Sequence, residues 1–442
     1  MRILWVCNMM PAPIGEALGI EYSNKEGWVS ALCRRIMEES SATITLGICF
    51  PWEGENGRLS GKVSLQHGKY IVTSAASDES DSVTSNVFYY GFSEDTVHEE
   101  TYDESLESRL KEIIDEYKPD IIHCFGTEYG HTLAALRAFG NSDKSIIGLQ
   151  GICHKIAEHY LDGVPEDIAK RSTFRDLIKS DNLLKQKDKM IKRGEREKQC
   201  LELAGHVLGR TTFDKESTLS INPKLKYHFM NETLRKTFYE GKWQIDKCRQ
   251  YSIFMSQGNY PVKGLHYVLK ALPQLVKDFP EVHLYIAGDN ITKDSLLGKI
   301  KISSYGQYLM ELIKEGKLEN HVTFLGSLSA DKMKEQMLFS HIFLSASTIE
   351  NSPNSVGEAM LLGVPVVASE VGGVPDILRD GAEGLLYTKD NESALCAAIG
   401  RVFAADISRV NDVVQSASKT ARERHDADTN YKRLLEIYEN EL

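Results

Sequence analysis

The chain has 442 residues, of which 42% are apolar and 26% are charged. This balance is typical of soluble globular proteins, and the length fits two domains of about 200 residues each. The net charge of -11 argues against nucleic acid as the main partner, because a phosphate backbone is bound by a basic face.

The eight cysteines are scattered, and no pair has C-x-x-C spacing. We therefore expect free, mostly buried thiols in a reducing compartment, rather than a disulfide framework or a zinc site. The apolar run at the N-terminus is too short for a signal peptide, and no segment reaches the length of a membrane span. The sequence predicts a cytoplasmic protein whose only contact with a membrane would be at the surface.

Short apolar strands alternate with amphipathic helices through the first part of the chain. Residues 2–7 are predicted to form a strand, and a helix is expected to open near Gly27. Residues 60–100 are polar and contain β-forming and turn residues, which favours one or two hairpins. Further alternation over residues 105–150 predicts parallel strands joined by crossover helices.

Residues 155–200 are predicted to be mostly helical and are strongly charged. The stretch 170–198 contains eleven Lys or Arg and five Asp or Glu, a net charge of +6. One interpretation is a pair of solvated helices. The other is a surface that meets anionic lipid or a lipid-diphosphate acceptor, as a peripheral contact at the inner face of a membrane.

A second alternation of strands and helices follows a domain boundary that we place near residues 235–250. The predicted organisation is an N-terminal domain over residues 1–240, a C-terminal domain over 241–415 and a terminal helix over 416–442 that can cross back to the N-terminal domain. Both domains are predicted to be α/β, each with a doubly wound, Rossmann-like sheet.

The most informative stretch runs from residue 345 to residue 378. A strand ends in a polar loop, in which Ser352 is predicted as a helix N-cap and Pro353 as the first helical residue. The backbone N–H groups of Asn354, Ser355 and Val356 would then lack helical partners and bind a phosphate, helped by the helix dipole. Ligands of open parallel sheets bind beyond the carboxyl ends of the strands, where this loop lies.

Two carboxylates flank this predicted phosphate site. Glu350 lies in the loop and Glu358 about one turn into the helix, with seven residues between them. A carboxylate beside a phosphate is repelled by it, but it can accept hydrogen bonds from sugar hydroxyls. One carboxylate for a ribose and one for a hexose is a coherent division of roles.

The E-x7-E spacing, the following EAMLLGVPVVAS and the GGVPDIL turn resemble the donor site of glycosyltransferase family 4. With VKG upstream at residues 262–264, the pattern is quite specific, and the resemblance covers most of the chain. The pieces HCFGTEYGHTLA, YHFMNETLR and SQGNYPVKGLHYVLKAL resemble a bacterial branch of that family that assembles capsular, exopolysaccharide or cell-envelope glycans.

The resemblance implies a GT-B fold, with two Rossmann-like domains facing each other across a cleft. It also implies a retaining transfer of a hexose-type sugar from a nucleotide diphosphate sugar to a hydroxyl of a glycan or lipid-linked acceptor, in polysaccharide biosynthesis. The C-terminal domain would bind the donor and the N-terminal domain the acceptor. No metal or other cofactor is expected, and the sequence shows no metal-ligand cluster.

By that resemblance, Glu358 would bind the ribose hydroxyls, Glu350 would contact the transferred sugar, and Lys263 would neutralise the leaving diphosphate. A physical argument independent of the resemblance supports the same role for Lys263. It follows a strand, in a loop before a helix, so it projects at the strand ends toward developing negative charge. Gly288 and Gly326 each end a strand and are predicted to lie near the nucleotide, Gly326 beside the base.

Two positions depart from the family pattern. Related enzymes often carry Arg a few residues before the Lys, but this chain has Gln257, so phosphate neutralisation rests on Lys263 alone or draws on another basic residue. Family members often have H-x-H at the end of an N-domain strand, but this chain has His123 and Phe125. We therefore predict that His131, at the start of the next helix, is the catalytic group near the acceptor or the sugar.

Further residues complete the predicted site. Glu128, in the same loop as His131, is a candidate for acceptor contact, whereas His123 is predicted to be a packed strand residue. Gly27 would let the first helix of the N-terminal domain approach the diphosphate closely. The GGVPD segment at 372–376 is predicted to be a structural turn.

Two other functions are consistent with the sequence. A GT-B nucleotide-sugar epimerase would need no acceptor, and a non-catalytic sugar-nucleotide-binding partner of a polysaccharide assembly complex would show no turnover. The presence of Glu350, Glu358 and Lys263 argues against a degenerate site. An NAD-dependent Rossmann enzyme is disfavoured, because no G-x-G-x-x-G follows the first strand of either half.

Overall fold

The computed structural model describes residues 1–20, 27–39, 44–54, 59–66, 68–73, 86–292 and 301–442. The chain forms two compact units. Unit 1 contains residues 1–154, 190–234 and 426–442, and unit 2 contains residues 155–189 and 235–425.

The strands within the described ranges are, in chain order, β1 (Arg2–Val6), β2 (Thr45–Pro51), β3 (Leu59–Gln66), β4 (Lys69–Thr73), β5 (Asn86–Phe92), β6 (Ile121–Phe125), β7 (Ser145–Gly148), β8 (His206–Gly209), β9 (Lys226–Phe229), β10 (Arg249–Met255), β11 (His283–Ala287), β12 (Val322–Gly326), β13 (Ser340–Ser345), β14 (Val366–Ser369) and β15 (Leu385–Tyr387).

The α-helices in the same ranges are α1 (Ala12–Leu18), α2 (Gly27–Glu39), α3 (Ser105–Tyr117), α4 (Gly130–Phe139), α5 (Cys153–His159), α6 (Glu166–Lys170), α7 (Phe174–Lys179), α8 (Leu183–Leu203), α9 (Thr212–Ile221), α10 (Leu265–Asp278), α11 (Ser304–Glu315), α12 (Ala330–Phe339), α13 (Asn354–Leu362), α14 (Glu392–Phe403), α15 (Ile407–Arg424) and α16 (Ala427–Glu436). Short 3-10 helices include Lys236–Tyr239, Pro261–Lys263 and Val374–Asp376, and Ile437–Glu441 forms a π-helix.

Unit 1 is built on one sheet with the strand order β4-β3-β5-β2-β1-β6-β7-β8-β9. The strands from β5 through β9 in that order pair in parallel, as the alternation of strands and helices predicts. The hairpin predicted within residues 60–100 is present as antiparallel β3 and β4, and residues 74–85 of that stretch lie outside the described residues. Apolar side chains are buried on both faces of the sheet.

Residues 426–442 complete the core of unit 1. Tyr438 is buried, and its hydroxyl accepts a hydrogen bond from Trp5 Nε1 at 3.0 Å and donates one to His123 Nδ1 at 2.5 Å. His123 is buried on β6, which confirms the prediction of a packed strand residue. Burial lowers the pKa of His123 to about 3, so its ring is neutral and its Nδ1 accepts the hydrogen bond from the Tyr438 hydroxyl.

The predicted terminal segment 416–442 is divided between the units. Residues 416–425 belong to unit 2, because Ala417 and Ala421 of α15 are buried and Ser418 Oγ donates to the Leu361 carbonyl at 3.2 Å. Helical periodicity in the sequence does not distinguish which of two cores buries a given apolar face.

Unit 2 contains a second sheet, whose described strands are all parallel in the order β12-β11-β10-β13-β14-β15. Its apolar core is formed by the strands together with α10, α11 and α14. Parallel sheets covered by helices bury both faces, which explains the three consecutive buried apolar residues at 253–255 in β10 and at 342–344 in β13.

Residues 155–189 belong to unit 2, whereas the predicted boundary assigned them to the N-terminal domain. Ile168 and Leu183 are buried in the core of unit 2, and Arg171 Nη1 donates to both carboxylate oxygens of Glu311, at 2.7 and 2.9 Å. These contacts join segments distant in sequence, so the linear pattern of the chain does not reveal them.

All eight cysteines are free, as predicted; seven are buried and Cys396 is half-buried. Across the described ranges, every helix is too short or too polar to cross a lipid bilayer.

A buried histidine in unit 2 predicts how stability depends on pH. His266 of α10 accepts a hydrogen bond at Nδ1 from the Tyr305 hydroxyl at 3.0 Å and donates from Nε2 to the Asp162 carbonyl at 2.9 Å. Burial lowers its pKa from 6.5 to about 3. Between these two pH values, the unfolded chain binds a proton that the folded chain does not bind. This contribution to stability is present above pH 6.5 and is lost as the pH falls toward 3.

We expect His266 alone to reduce the free energy of unfolding by about 2 kcal/mol between pH 7 and pH 5. Urea denaturation at both pH values measures this change. His266→Gln keeps a donor and an acceptor but does not titrate, so its stability should depend less steeply on pH. If the free energy of unfolding depends equally on pH in the wild type and the variant, His266 is not the source of this pH dependence.

Candidate active site

The loop between β13 and α13 begins the candidate site in unit 2. Helix α13 starts at Asn354, with Pro353 rather than Ser352 at the N-cap position and no side-chain cap. The predictions that Ser352 is the N-cap and Pro353 the first helical residue are therefore wrong by one position. Proline at φ -69° and ψ 106° has extended geometry, and its carbonyl closes the first turn.

The first turn of α13 leaves fewer amides for a ligand than predicted. The Val356 N–H donates to the Pro353 carbonyl at 3.0 Å, so its predicted role as a free phosphate donor is wrong in this structure. Asn354 and Ser355 precede it, at positions where the helix supplies no carbonyl four residues back. The helix dipole directs partial positive charge to the same end.

Lys263 and Glu350 are brought together by the structure. Lys263 Nζ donates to Glu350 Oε1 at 2.5 Å, and Ser347 Oγ donates to the same oxygen at 2.7 Å. Burial alone would lower the pKa of Lys263, but the Glu350 carboxylate raises it above its ordinary value. Lys263 is therefore a fixed positive charge in the loop after β10, next to the loop after β13.

Two glycines fix the backbone around this ion pair. Gly264 has φ +69°, and a Cβ there would lie 1.8 Å from the Ala346 carbonyl oxygen; Gly372 has φ +51°, and a Cβ there would lie 2.0 Å from the Glu350 carbonyl oxygen. The Gly373 N–H donates to that same carbonyl at 3.0 Å. The GGVPD turn is structural, as predicted, and the structure adds that it supports the backbone of Glu350.

Glu358 lies on α13 and is 2% exposed. The Arg235 guanidinium binds both oxygens of its carboxylate. Arg235 Nε donates to Oε1 and Nη2 donates to Oε2, each at 2.7 Å. Burial raises the pKa of Glu358, and the Arg235 guanidinium offsets part of that rise. A bidentate pair of this kind fixes the rotamer of both side chains.

Sequence analysis missed Arg235. It lies 123 positions before Glu358, in the NETLR segment that was assigned only by resemblance. It places a second basic group beside the E-x7-E motif in a chain that has Gln257 where an arginine is often found. Its guanidinium also lies 4.7 Å from the centre of the Phe238 ring.

Gly288 and Gly326 are joined at the carboxyl ends of β11 and β12. The Gly288 N–H donates to the Gly326 carbonyl at 3.0 Å, and both residues have positive φ, +95° and +75°. A Cβ at Gly326 would meet no atom within 4 Å, so the backbone conformation rather than crowding favours glycine there. Gln257 packs beside Gly288.

Unit 2 contains a second group of polar residues that the sequence analysis did not predict. Asp162 Oδ2 accepts hydrogen bonds from Lys389 Nζ at 2.6 Å and from His159 Nδ1 at 2.7 Å. The His159 carbonyl accepts a bond from Thr348 Oγ1 at 3.1 Å, two residues before Glu350. The segment 155–189 thus contacts the loop that carries the candidate site.

In unit 1, His131 lies at the start of α4 and is completely buried. Its Nδ1 is 2.6 Å from Glu94 Oε2, and its Nε2 is 3.1 Å from Asn8 Oδ1. Burial alone would raise the pKa of Glu94, but the charge and hydrogen bonds of His131 lower it. Both ring nitrogens therefore have protein partners in this conformation, and the catalytic role of His131 stays a prediction.

Glu128 organises the loop after β6. Its carboxylate accepts the Thr127 N–H at 2.9 Å and the Gly151 N–H at 2.8 Å, and burial raises its pKa. The helix predicted near Gly27 is present, and its described residues run from Gly27 to Glu39. Residues 21–26, immediately before it, lie outside the described residues. The roles of Glu128 and Gly27 in ligand binding stay predictions.

The part of the chain that the structure describes contains no cluster of three or more His, Cys, Asp or Glu side chains suited to a metal ion. The absence of a cofactor from the reaction stays a prediction.

Comparison with known proteins identifies the segment that carries this geometry. Residues 236–422 match the family model of glycosyl transferases group 1. The match covers less than half of the chain, and this segment is similar to glycosyl transferases group 1. It contains Lys263, Glu350 and Glu358, and Arg235 lies one residue before its start.

Curated relatives match part of the chain. The phosphatidyl-myo-inositol mannosyltransferase of Mycobacterium tuberculosis (strain ATCC 25618 / H37Rv) is 29% identical over 192 residues, which cover 42% of this chain and 46% of that protein. Spore coat protein SA of Bacillus subtilis (strain 168) is 26% identical over 190 residues, or 40% of this chain and 46% of that protein. The chain thus spans about half the length of the curated relatives it matches.

Solved structures show the fold of the chain. Sucrose-phosphate synthase from Thermosynechococcus elongatus superimposes with a TM-score of 0.66 at 15% identity, over 99% of this chain and 98% of that one. Anabaena Alr3699/HepE in complex with UDP-glucose superimposes with a TM-score of 0.64 at 16% identity, over 99% of each chain. The chain has the GT-B fold, with two Rossmann-like sheets, as predicted.

The bidentate Arg235–Glu358 pair predicts a strong energetic coupling. Arg235→Ala leaves a buried carboxylate without its counter-ion, so the free energy of unfolding should fall by about 3 kcal/mol. The double variant Arg235→Ala/Glu358→Gln should recover part of this loss, because the amide carries no charge.

Urea denaturation of the wild type, both single variants and the double variant completes the cycle. Losses in the single variants that simply add in the double variant would show that the two side chains are not coupled.

Proposed function

We propose that the protein is a retaining hexosyltransferase that uses a nucleotide diphosphate sugar as donor. The observation that carries the proposal is the arrangement at the carboxyl edge of the sheet in unit 2. There a protonated Lys263, the Glu350 carboxylate and the first turn of α13 lie on adjacent loops. Positive charge beside carboxylates suits a ligand that joins a diphosphate to hydroxyl-rich sugars.

The proposed donor site assigns one role to each group. Lys263 and the Asn354 and Ser355 amides bind the diphosphate, and Glu350 contacts the transferred hexose. Glu358 binds the ribose hydroxyls: its two oxygens each accept one hydrogen bond from Arg235, and a carboxylate has about four lone-pair sites in total. The Val356 amide has no role in the proposal.

The nucleotide base is proposed to lie near the Gly288 and Gly326 strand ends. UDP-glucose is the first donor to test, because HepE, which shares the fold, was solved with it. No metal is part of the proposal, since Lys263 and the α13 dipole supply positive charge for the phosphates. Activity that survives a chelator would agree with this.

In the proposed reaction, the bond between the anomeric carbon and the β-phosphate oxygen breaks. The acceptor hydroxyl oxygen forms the new bond to the same face of the anomeric carbon, and its proton passes to the leaving phosphate. Lys263 stabilises the negative charge that develops on that phosphate. No side chain forms a covalent intermediate, and the protein contributes orientation and charge.

The acceptor is proposed to bind to unit 1, with Glu128 and His131 on the acceptor side. Because His131 is buried with both ring nitrogens bonded, we propose that it holds Glu94 and Asn8 in position. The mannosyltransferase relative acts on phosphatidyl-myo-inositol, which is a lipid. A hydroxyl of a glycan or lipid-linked molecule is the acceptor class we propose here, in polysaccharide biosynthesis.

Thermal unfolding with a panel of UDP, GDP, ADP and CMP sugars tests the donor site. A ligand that binds only the folded state stabilises it by about 2.7 kcal/mol at 100 times its Kd. We expect one nucleotide class to raise the melting temperature of the wild type, and Glu358→Gln to lose most of that rise.

Glu383→Gln is the matched control, because Glu383 is an equally buried glutamate of unit 2 whose partner is Arg379. It should keep the full response to the nucleotide. If no nucleotide stabilises a well-folded wild type, the donor site is wrong. If the donor alone is isomerised without an acceptor, as followed by NMR, the protein is an epimerase and the transfer reaction is wrong.

A further inference from the structure

Helix α7 exposes apolar side chains and buries an aspartate, which is the reverse of an ordinary surface helix. Apart from Lys179 at its end, its exposed side chains are apolar: Phe174, Leu177 and Ile178 are 61%, 67% and 69% exposed. Its buried side chain is charged, because Asp176 is 2% exposed. Soluble helices bury apolar residues and expose charged ones, so this arrangement costs free energy in water.

Polar contacts hold α7 in this orientation. Thr173 and Asp176 form a capping box at its first turn, and the Asp176 carboxylate also accepts the Ser304 N–H at 2.9 Å. Thr173 Oγ1 donates to the Ile302 carbonyl at 2.7 Å. The helix is therefore anchored within unit 2 by its polar face, which directs Phe174, Leu177 and Ile178 outward.

Basic residues flank the apolar face in sequence. Residues 170–189 contain seven Lys or Arg against three Asp, a net charge of +4 in a chain whose total is -11. Lys179 lies at the end of α7, and Lys170 and Lys185 flank it in sequence; all three are exposed. Exposed apolar side chains with cations around them match the interface of a membrane that contains anionic lipid.

We propose that α7 docks unit 2 onto an anionic membrane, with Phe174, Leu177 and Ile178 inserted among the lipids and the lysines on the headgroups. Charge selects this partner over a second copy of the chain, since a symmetric contact through α7 would face one basic surface with another. The surface is defined independently of the transferase reaction. Its purpose rests on the proposed function, because docking would bring the enzyme to a lipid-linked acceptor.

Flotation of the purified full chain with phosphatidylcholine vesicles, with and without added phosphatidylglycerol, tests the docking. The wild type should bind the phosphatidylglycerol vesicles and bind them less well at high salt. Phe174→Ser/Leu177→Ser/Ile178→Ser should weaken binding by about tenfold or more, since each buried apolar side chain contributes to insertion. Lys179→Glu/Lys185→Glu should also weaken it.

Val97→Ser/Ile407→Ser is the matched control, because it removes apolar side chains that are 74% and 59% exposed elsewhere. It should bind vesicles as the wild type does. Binding that is equal in the triple variant, or absent in the wild type, would overturn the proposal. A wild-type dimer that the triple variant converts to a monomer, without vesicle binding, would assign the surface to self-association instead.

Two measurements separate this proposal from the donor site. Glu358→Gln should float with the vesicles as the wild type does, even if no nucleotide binds. The triple variant should show wild-type circular dichroism and wild-type response to the nucleotide. If it does not fold, Leu177→Ser alone and the lysine variant decide the outcome.

Discussion

The parallel pairing of β10 with β11 on one side and β13 on the other constrains the whole candidate site. In parallel strands all carboxyl ends lie at one edge, so the loops after successive strands become neighbours however far apart they are in sequence. Lys263 and Glu350 are 87 positions apart and meet for this reason. Gly288, after β11, and Gly326, the last residue of β12, lie at the same edge.

This constraint explains which parts of the structure could be predicted. The alternation of apolar strands and amphipathic helices determines the fold class of both units, and strand ends identify loops such as that of Glu350. The helix boundary at Pro353 was missed because serine is the better N-cap by preference, while proline's fixed φ also suits the position before the helix. This difference of one residue decides whether the Val356 N–H can donate to a ligand or is already bonded to the Pro353 carbonyl.

Contacts between distant segments could not be predicted in the same way. Nothing in the local sequence of Arg235 indicates that it pairs with Glu358, and nothing around Ile168 indicates which core buries it. The orientation of α7 is a similar case. Its sequence, FRDLIK, contains three apolar and three charged residues, and only the partners of Thr173 and Asp176 decide which face points outward.

The place of Tyr438 has a consequence for biosynthesis. Its hydroxyl bonds to Trp5, 433 positions earlier, and residues 426–442 belong to the same unit as the first strand. On a ribosome, unit 1 therefore lacks part of its core until these residues emerge, whereas all segments of unit 2 precede them. Unit 2 can fold during translation, while the nascent unit 1 exposes the apolar surface that Leu434, Ile437 and Tyr438 later cover. That interval is when the nascent chain is most exposed to aggregation and most in need of a chaperone.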